Sequence, residues 1–170
     1  MFSFKINLMK LLYIFVLIIF ISISVFSQTN TLKFDLKYEI TTNDFITVND
    51  TADHKIGRAT GLGSVIFSDG TQGLVKVYFI YDYIKGNGDF TEYYDITLIG
   101  DTSKLTVQAK GESIGSSNGY APLFTGTVTI SGGSGKFEGL YGEGSCSGNR
   151  NESLITGAVV KMSFTISAHY

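Results

Sequence analysis

The sequence predicts an all-β protein, an eight-stranded antiparallel β-barrel. After residue 30, no stretch of useful length shows the helical spacing of apolar residues. Instead, apolar segments of about ten residues recur, each followed by a turn of Gly, Asn or Asp. Many of these segments are apolar on both faces, which suits a barrel with an apolar lumen and a covered outer face.

Eight such segments succeed one another, and each predicts one strand. They are LKFDLKYEI (32–40), KIGRATGLGSVIF (55–67), GLVKVYFIYDYI (73–84), DFTEYYDITLI (89–99), SKLTVQAKGESI (103–114), PLFTGTVTI (122–130), GKFEGLYGEGSC (135–146) and SLITGAVVKMSFTISA (153–168). The linkers SDGTQ, KGNGD and GDTS have the composition of hairpin turns, so consecutive strands are expected to pair antiparallel. A barrel of eight strands has room for one small ligand.

The amino-terminal residues predict a secretory signal peptide over 1–27. Lys5 and Lys10 precede the apolar run LLYIFVLIIFISISVF, and the small residue Ser27 comes directly after it. The alternative is an uncleaved membrane anchor, for which the run is slightly short. Cleavage after Ser27 would leave the barrel domain, residues 28–170, and a secreted location, extracellular or periplasmic.

Composition excludes several classes of function. Residues 28–170 carry 11 basic and 15 acidic side chains, so an acidic surface without a basic patch is not expected to bind nucleic acid. The only cysteine, Cys146, cannot form an internal disulfide. It is interpreted either as a buried side chain that fills space in the core or as a reactive thiol. His54 and His169 lie far apart in sequence, so we expect neither a metal site nor a cofactor.

The glycine-rich segment ISGGSGKFEGLYGEGSCSG, 130–148, raises the question of phosphate binding. A P-loop needs Gly-Lys-Ser/Thr at the start of a helix, but Phe137 comes after Lys136 here and strands flank the segment. Spaced apolar residues also argue against a flexible linker. We therefore predict a tight turn over 132–135 between two strands, with at least one glycine at positive φ.

These residues also carry a family resemblance. ISGGSGKFEGLYG, 130–142, is similar to the SGGSGxFEGxYG motif of the allene oxide cyclase family. KIGRATGLGSVI, 55–66, resembles the second strand of that family, and its GRATG resembles the GRAxG of plant dirigent proteins. Both families are eight-stranded barrels that assemble as trimers, so the resemblance implies this fold and a homotrimer.

The resemblance also implies candidate site residues. Allene oxide cyclases shape an apolar substrate in the lumen, helped by a glutamate in a YEIN motif of the first strand, which corresponds to Glu39 here. The resemblance thus makes Glu39 the candidate catalytic residue, turned into the lumen by a bulge, although alternation along the strand places it outside. The family asparagine and cysteine nearby are Thr41 and Gly63 here, so the family's water site is not copied and its own reaction is not expected.

Five residues are candidate ligand contacts. They are Tyr38, Thr41, Arg58, Gly63 and Tyr81. Arg58 could pair with a ligand carboxylate or form a salt bridge at the rim, and Tyr81 could line a pocket or belong to the core.

The sequence thus supports two functions. The first is a secreted barrel that encloses a small apolar molecule and guides its cyclisation or coupling, with isomerase-like chemistry if it is catalytic. The second is a non-catalytic secreted surface or matrix barrel. An open lumen containing Glu39 favours the first function, whereas a lumen filled by Phe and Leu favours the second.

Overall fold

The computed structural model describes residues 30–115 and 122–170. The predicted signal peptide, residues 1–27, lies outside the described residues. No helix in the described ranges is long and apolar enough to cross a bilayer.

The predicted eight-stranded antiparallel barrel is confirmed. The strands succeed one another in chain order around a closed sheet, and β1 pairs with both β2 and β8. Their bounds are β1 Asn30–Val48, β2 His54–Phe67, β3 Gln72–Ile84, β4 Asn87–Leu98, β5 Lys104–Ile114, β6 Leu123–Ser134, β7 Tyr141–Arg150 and β8 Val159–His169. Because every strand has two neighbours, the barrel leaves no sheet edge unpaired within the described ranges.

Strand β1 is longer than the sequence predicted. A bulge between Ile40 and Thr42 shifts the register, but pairing with β2 continues to Val48 opposite His54. Residues beyond Ile40 lose the alternation of buried and exposed side chains because they project past the core as a hairpin. The predicted end at residue 40 therefore marks where β1 leaves the core.

The predicted turn over 132–135 is right in its backbone requirement and wrong in its extent. Gly135 has φ +62°, as expected, but β6 continues to Ser134 and is succeeded by a single 3-10 turn, Gly135–Phe137. Strand β7 consequently begins at Tyr141 and not at residue 135. The chain needs the longer reversal because Phe137 packs into the end of the barrel, where it is 5% exposed.

Strand β8 also begins later than predicted, at Val159 and not at residue 153. The preceding residues form a connection held by side-chain hydrogen bonds, among them the following two. Asn43 Nδ2 donates to the carbonyl of Leu154 at 2.8 Å, and Asn151 Oδ1 accepts from the Val159 amide at 2.9 Å. The connection therefore lies across one end of the barrel, beside the start of β8.

The opposite end of the barrel is plugged by phenylalanine rings. Phe34 stacks on Phe164 with centroids 4.7 Å apart and tilts against Phe67 at 5.2 Å, and Phe67 stacks on Phe137 at 5.9 Å. Buried Leu36, Ile40, Val77 and Val107 fill the lumen behind these rings. The lumen is thus a packed core over most of its length, as in other small barrels.

The outer face of β2, β3 and β4 is partly apolar, in agreement with the two-faced pattern of the sequence. Leu62, Leu74, Tyr78, Ile80 and Tyr93 are each at least 40% exposed. Tyr78 lies directly opposite Tyr93 in the β3–β4 ladder, and Ile80 lies opposite Arg58 in the β2–β3 ladder. We call these five apolar and aromatic residues the outer apolar patch.

Candidate functional site

A pocket of about 660 Å³ opens at the end of the barrel opposite the phenylalanine plug. We call it the mouth pocket. Its lining residues come from the ends of several strands, the β3–β4 turn and the β7–β8 connection: Asn43, Phe45, Asp53, Lys55, Tyr81, Tyr83, Lys85, Gly86, Asn87, Gly115, Arg150, Ser153, Leu154 and Ile155. The β1–β2 hairpin and the β7–β8 connection extend past the core and form its walls.

Two tyrosines on β3 form an aromatic surface at the inner end of the mouth pocket. The rings of Tyr81 and Tyr83 stack with centroids 4.8 Å apart, and both residues are less than 5% exposed. Tyr81 donates its hydroxyl to Asn43 Oδ1 at 2.7 Å. Burial raises the pKa of both phenols, so they remain neutral hydrogen-bonding groups at physiological pH.

Arg150, the last residue of β7, brings a positive charge to the same place. It is 4% exposed and belongs to the inward face of its strand. Its Nε donates to the carbonyl of Glu152 at 2.8 Å, and its guanidinium carbon lies 5.5 Å from the centroid of the Phe124 ring. Burial lowers the pKa of this guanidinium, but an arginine keeps its proton in proteins.

Glu92 lies deeper in the lumen, at the middle of β4, and is 3% exposed. Burial raises the pKa of its carboxyl to about 8, against the opposing effects of the Tyr38 hydrogen bond and the charge of Arg150. Tyr38 donates its hydroxyl to Glu92 Oε1 at 3.3 Å. At neutral pH this group is therefore mostly a neutral carboxylic acid, able to give or accept a proton.

Two buried polar atoms of β4, one of them on this acid, have no hydrogen-bond partner within residues 30–115 and 122–170. They are Glu92 Oε2 and the Tyr94 hydroxyl, which belong to neighbouring inward positions of β4. Tyr94 is fixed by edge contacts with Tyr38 and Phe164, at centroid distances of 6.4 and 5.1 Å. Buried polar groups are normally satisfied, so an unsatisfied pair such as this one marks a position that packing alone does not explain.

The predicted lumen position of Glu39 is wrong. Glu39 is exposed on the outer face of β1, opposite Leu62, and alternation holds through this part of the strand. The bulge that was expected to turn it inward lies one residue later, between Ile40 and Thr42, so it affects only the residues beyond Ile40. The buried carboxyl of this barrel is Glu92, on a different strand.

The candidate ligand contacts divide into lumen and surface residues. Tyr38 and Tyr81 lie inside, Tyr38 against Glu92 and Tyr81 in the mouth pocket. Thr41 and Arg58 lie outside, where Thr41 bonds Thr60 at 2.8 Å and Arg58 reaches Asp44 at 3.8 Å. Gly63 packs against the backbone of Lys37 and Tyr38. Arg58 is thus a surface residue that forms a salt bridge, as in the alternative to pairing with a ligand carboxylate.

Sequence reasoning missed Glu92 and Arg150. The signal for Glu92 was present, because alternation in DFTEYYDITL places it on one face with Phe90, Tyr94 and Ile96. A carboxylate on an otherwise apolar face is a candidate for a functional site. For Arg150 the signal was weak, because the predicted strand ended at residue 146.

Cys146 and His54 occupy other environments. Cys146 is 3% exposed and burial raises the pKa of its thiol to about 12, which confirms its interpretation as a buried filler. His54 bonds Asp50 through Nδ1 and Asp82 through Nε2, both at 2.6 Å, and thereby ties the β1–β2 hairpin to β3. In the part of the chain that the structure describes, no three or more His, Cys, Asp or Glu side chains are arranged so that they could hold a metal ion.

A larger groove, of about 730 Å³, lies mainly along the outer face of β1, β2 and β6–β8. Most of its polar lining is exposed serine, threonine, asparagine and lysine, and it contains none of the buried titratable groups. The mouth pocket, with Arg150 in its lining and Glu92 on the inward face behind it, is therefore the candidate functional site.

Fold and site together define a closed antiparallel barrel with one plugged end, one open mouth and a buried acid between them. No protein-family model matches the sequence, and no curated protein matches it. Among solved structures, it is similar to a pterocarpan synthase dirigent protein, with 15% identity over 85% of this chain and 92% of the other and a TM-score of 0.47.

Proposed function

We propose that this chain is an exported barrel that binds a small, largely apolar molecule in the mouth pocket. The observation that carries the proposal is the pocket itself, a space of about 660 Å³ lined by stacked tyrosines at the open end of the described barrel. Small-molecule sites are usually concave, and this one combines two aromatic rings with polar and charged groups. The composition of the amino-terminal residues supports export.

We further propose that Glu92 supplies the chemistry if the bound molecule reacts. Glu92 does not line the mouth pocket but lies close to Tyr83, so a ligand has to reach past that ring to meet the acid. The neutral acid can then protonate one of the ligand's oxygens as a ring closes or two molecules couple, and afterwards recover the proton. Tyr38 would hold the carboxyl in place through its hydrogen bond. In this proposal Glu92 takes the part that the family resemblance assigned to Glu39.

A packed lumen with Glu39 outside it is the arrangement that we expected for the second candidate, a non-catalytic surface or matrix barrel, and the mouth pocket is the feature that supports the first. Phe34, Phe67, Phe137 and Phe164 close one end, and apolar side chains occupy the centre. Such a barrel needs no ligand to be stable. The two candidates differ in whether the mouth pocket binds anything.

The test uses Nile red, a neutral apolar dye whose fluorescence rises in dry sites. We expect the wild-type protein to bind the dye and Ile155→Trp, which fills the mouth pocket, to lose most of that binding. Ile99→Trp is the matched control, since Ile99 is similarly exposed but lies at the plugged end. Equal binding by the wild type and both variants, or no binding by any, would favour the non-catalytic barrel.

A further inference from the structure

Arg150 is a buried cation with no carboxylate within ion-pair distance in the described ranges, and the carboxyl group that its charge acts on, Glu92, lies farther away. Arg150 forms no ion pair within the described ranges, and its only side-chain hydrogen bond there is the one from Nε to Glu152. The residue lines the mouth pocket, and no hydrogen bond in the described ranges uses its terminal Nη nitrogens. Because a buried charge is costly unless paired, these nitrogens are suited to an acceptor that arrives from the pocket.

The surrounding charges favour an anion. The pocket lining contains three cationic residues, Lys55, Lys85 and Arg150, against one carboxylate, Asp53. The protein as a whole has a formal net charge of −2, so the charge of this site is opposite in sign to the net charge of the protein. Local charge of this kind raises the concentration of oppositely charged ligands and orients them.

The geometry of the guanidinium favours a carboxylate. Nε is occupied by the Glu152 carbonyl, which leaves the two Nη groups to donate. A planar carboxylate accepts two parallel hydrogen bonds from such a pair, and a single net negative charge matches the single buried cation.

The shape of the site favours a short, flat molecule. The stacked rings of Tyr81 and Tyr83 line the pocket beside Arg150. Deeper in the barrel, Tyr38, Tyr94 and Phe164 are packed against one another, so a long alkyl chain has no channel to enter. An aromatic ring can pack on the tyrosines without passing that point.

We propose that the mouth pocket binds a compact aromatic carboxylate, with its carboxylate on the Nη groups of Arg150 and its ring against Tyr81 and Tyr83. The proposal rests on the proposed function and adds the class of ligand.

The test measures binding to the full barrel protein by titration calorimetry with 2-naphthoate, 2-naphthalenemethanol, 2-naphthyl phosphate and dodecanoate. We expect 2-naphthoate to bind most tightly, because the alcohol lacks the charge, the phosphate carries excess charge and dodecanoate lacks a channel. Arg150→Met should weaken 2-naphthoate binding about 10- to 100-fold and leave the alcohol unchanged. Arg58→Met, at the exposed arginine of β2, should change neither.

If the Arg150→Met variant does not fold, Arg150→Lys provides the test. The lysine keeps the positive charge but lacks the two parallel donors of the guanidinium. It should weaken 2-naphthoate binding and spare the alcohol. Equal affinity for acid and alcohol, tighter binding of the phosphate or dodecanoate, or identical effects at Arg150 and Arg58 would overturn the proposal. Failure of 2-naphthoate while Nile red still binds overturns the ligand class alone, whereas failure of both removes the proposed function as well.

Discussion

At the scale of single residues, the environment of Glu92 makes stability depend on pH in a specific direction. Its carboxyl has a pKa of about 8 in the folded barrel, raised by burial from the ordinary value of 4.5. Between these values the folded state holds a proton that the unfolded chain has released. Stability contributed by this residue is therefore highest at low pH and falls as pH rises toward 8.

Glu92→Gln should remove this dependence, because an amide does not titrate. We expect the wild type to lose on the order of a few kcal/mol of unfolding free energy between pH 5 and pH 9 through this group. The glutamine variant should lose clearly less. Urea unfolding of both proteins at the two pH values measures the difference, and parallel losses in the two proteins would contradict a buried, titrating Glu92.

Gly135 gives a second prediction at this scale. Its φ of +62° disfavours a side chain, and a Cβ there would also meet Ser103, whereas a Cβ at Gly132 would have open space. Gly135→Val should lower the unfolding free energy by about 1–3 kcal/mol. Gly132→Val is the control and should cost less, so equal melting temperatures for the two variants would show that the turn tolerates either residue.

The residues of the site were only partly predictable. Alternation correctly placed Tyr38 inside and would have placed Glu39 outside, but the family resemblance overrode it. Alternation depends on the pleat and holds wherever one face of a strand is buried, so it was the better guide for this strand. The position of Arg150 in the mouth pocket could not be inferred, because it depends on how two distant connections extend past the barrel end.

At the scale of elements, the β1–β2 hairpin is tied to β3 by His54. The pKa of His54 is raised by its bonds to Asp50 and Asp82, because only the protonated ring donates to both carboxylates. The stabilisation is complete below the ordinary value of 6.5 and is lost as pH rises through the higher folded-state pKa. The hairpin should therefore loosen in alkaline solution.

Asp82→Asn should reproduce that loosening at lower pH, since it removes one of the two carboxylates. Hydrogen exchange of the amides over 49–55 at pH 6 is expected to speed up in this variant. Asp35→Asn, which alters an exposed carboxylate in the barrel wall, should leave those amides unchanged. If the two variants exchange alike, the histidine does not hold the hairpin.

Element boundaries were predicted well in the middle strands and poorly at both barrel ends. The bounds of β2, β3 and β5 differ from the prediction by one residue or none. β1 and β7 were misjudged for different reasons. Beyond Ile40, β1 continues in a hairpin with β2 whose residues lack the alternation that indicates a strand. β7 begins late because Phe137 packs on Phe67, far along the chain.

At the scale of the whole molecule, the outer apolar patch calls for a partner. Leu62, Leu74, Tyr78, Ile80 and Tyr93 are each at least 40% exposed on three adjacent strands, and groups of exposed apolar residues often mark interfaces. We expect the protein to form a homotrimer that covers this patch. The expectation comes from the family resemblance, and the patch gives it a location.

Ile80→Lys should dissociate the assembly, because it introduces a charge into the covered face. Light scattering at micromolar concentration should then report a monomer, while Leu123→Lys, on the distant strand β6, should keep the wild-type mass. A strictly monomeric wild-type protein would contradict the expected trimer and show that the outer apolar patch is not covered by another copy.

The fold as a whole was predictable because it depends on many weak signals that agree. Turn residues at regular intervals and apolar faces on successive strands indicated a closed meander, and neither depends on any single residue. The site depends on a few residues whose positions relative to one another are set by strand stagger, which the sequence does not display.

The plugged end also determines which way the molecule can face. Strand β1 starts and strand β8 finishes at the plugged end, where Asn30 pairs with Ala168. The points where the chain enters and leaves the barrel therefore both lie opposite the mouth pocket. A barrel tethered to a bead, a matrix or a fusion partner through either end would therefore present its opening outward. Immobilised protein should keep full access to solutes whichever terminus carries the attachment.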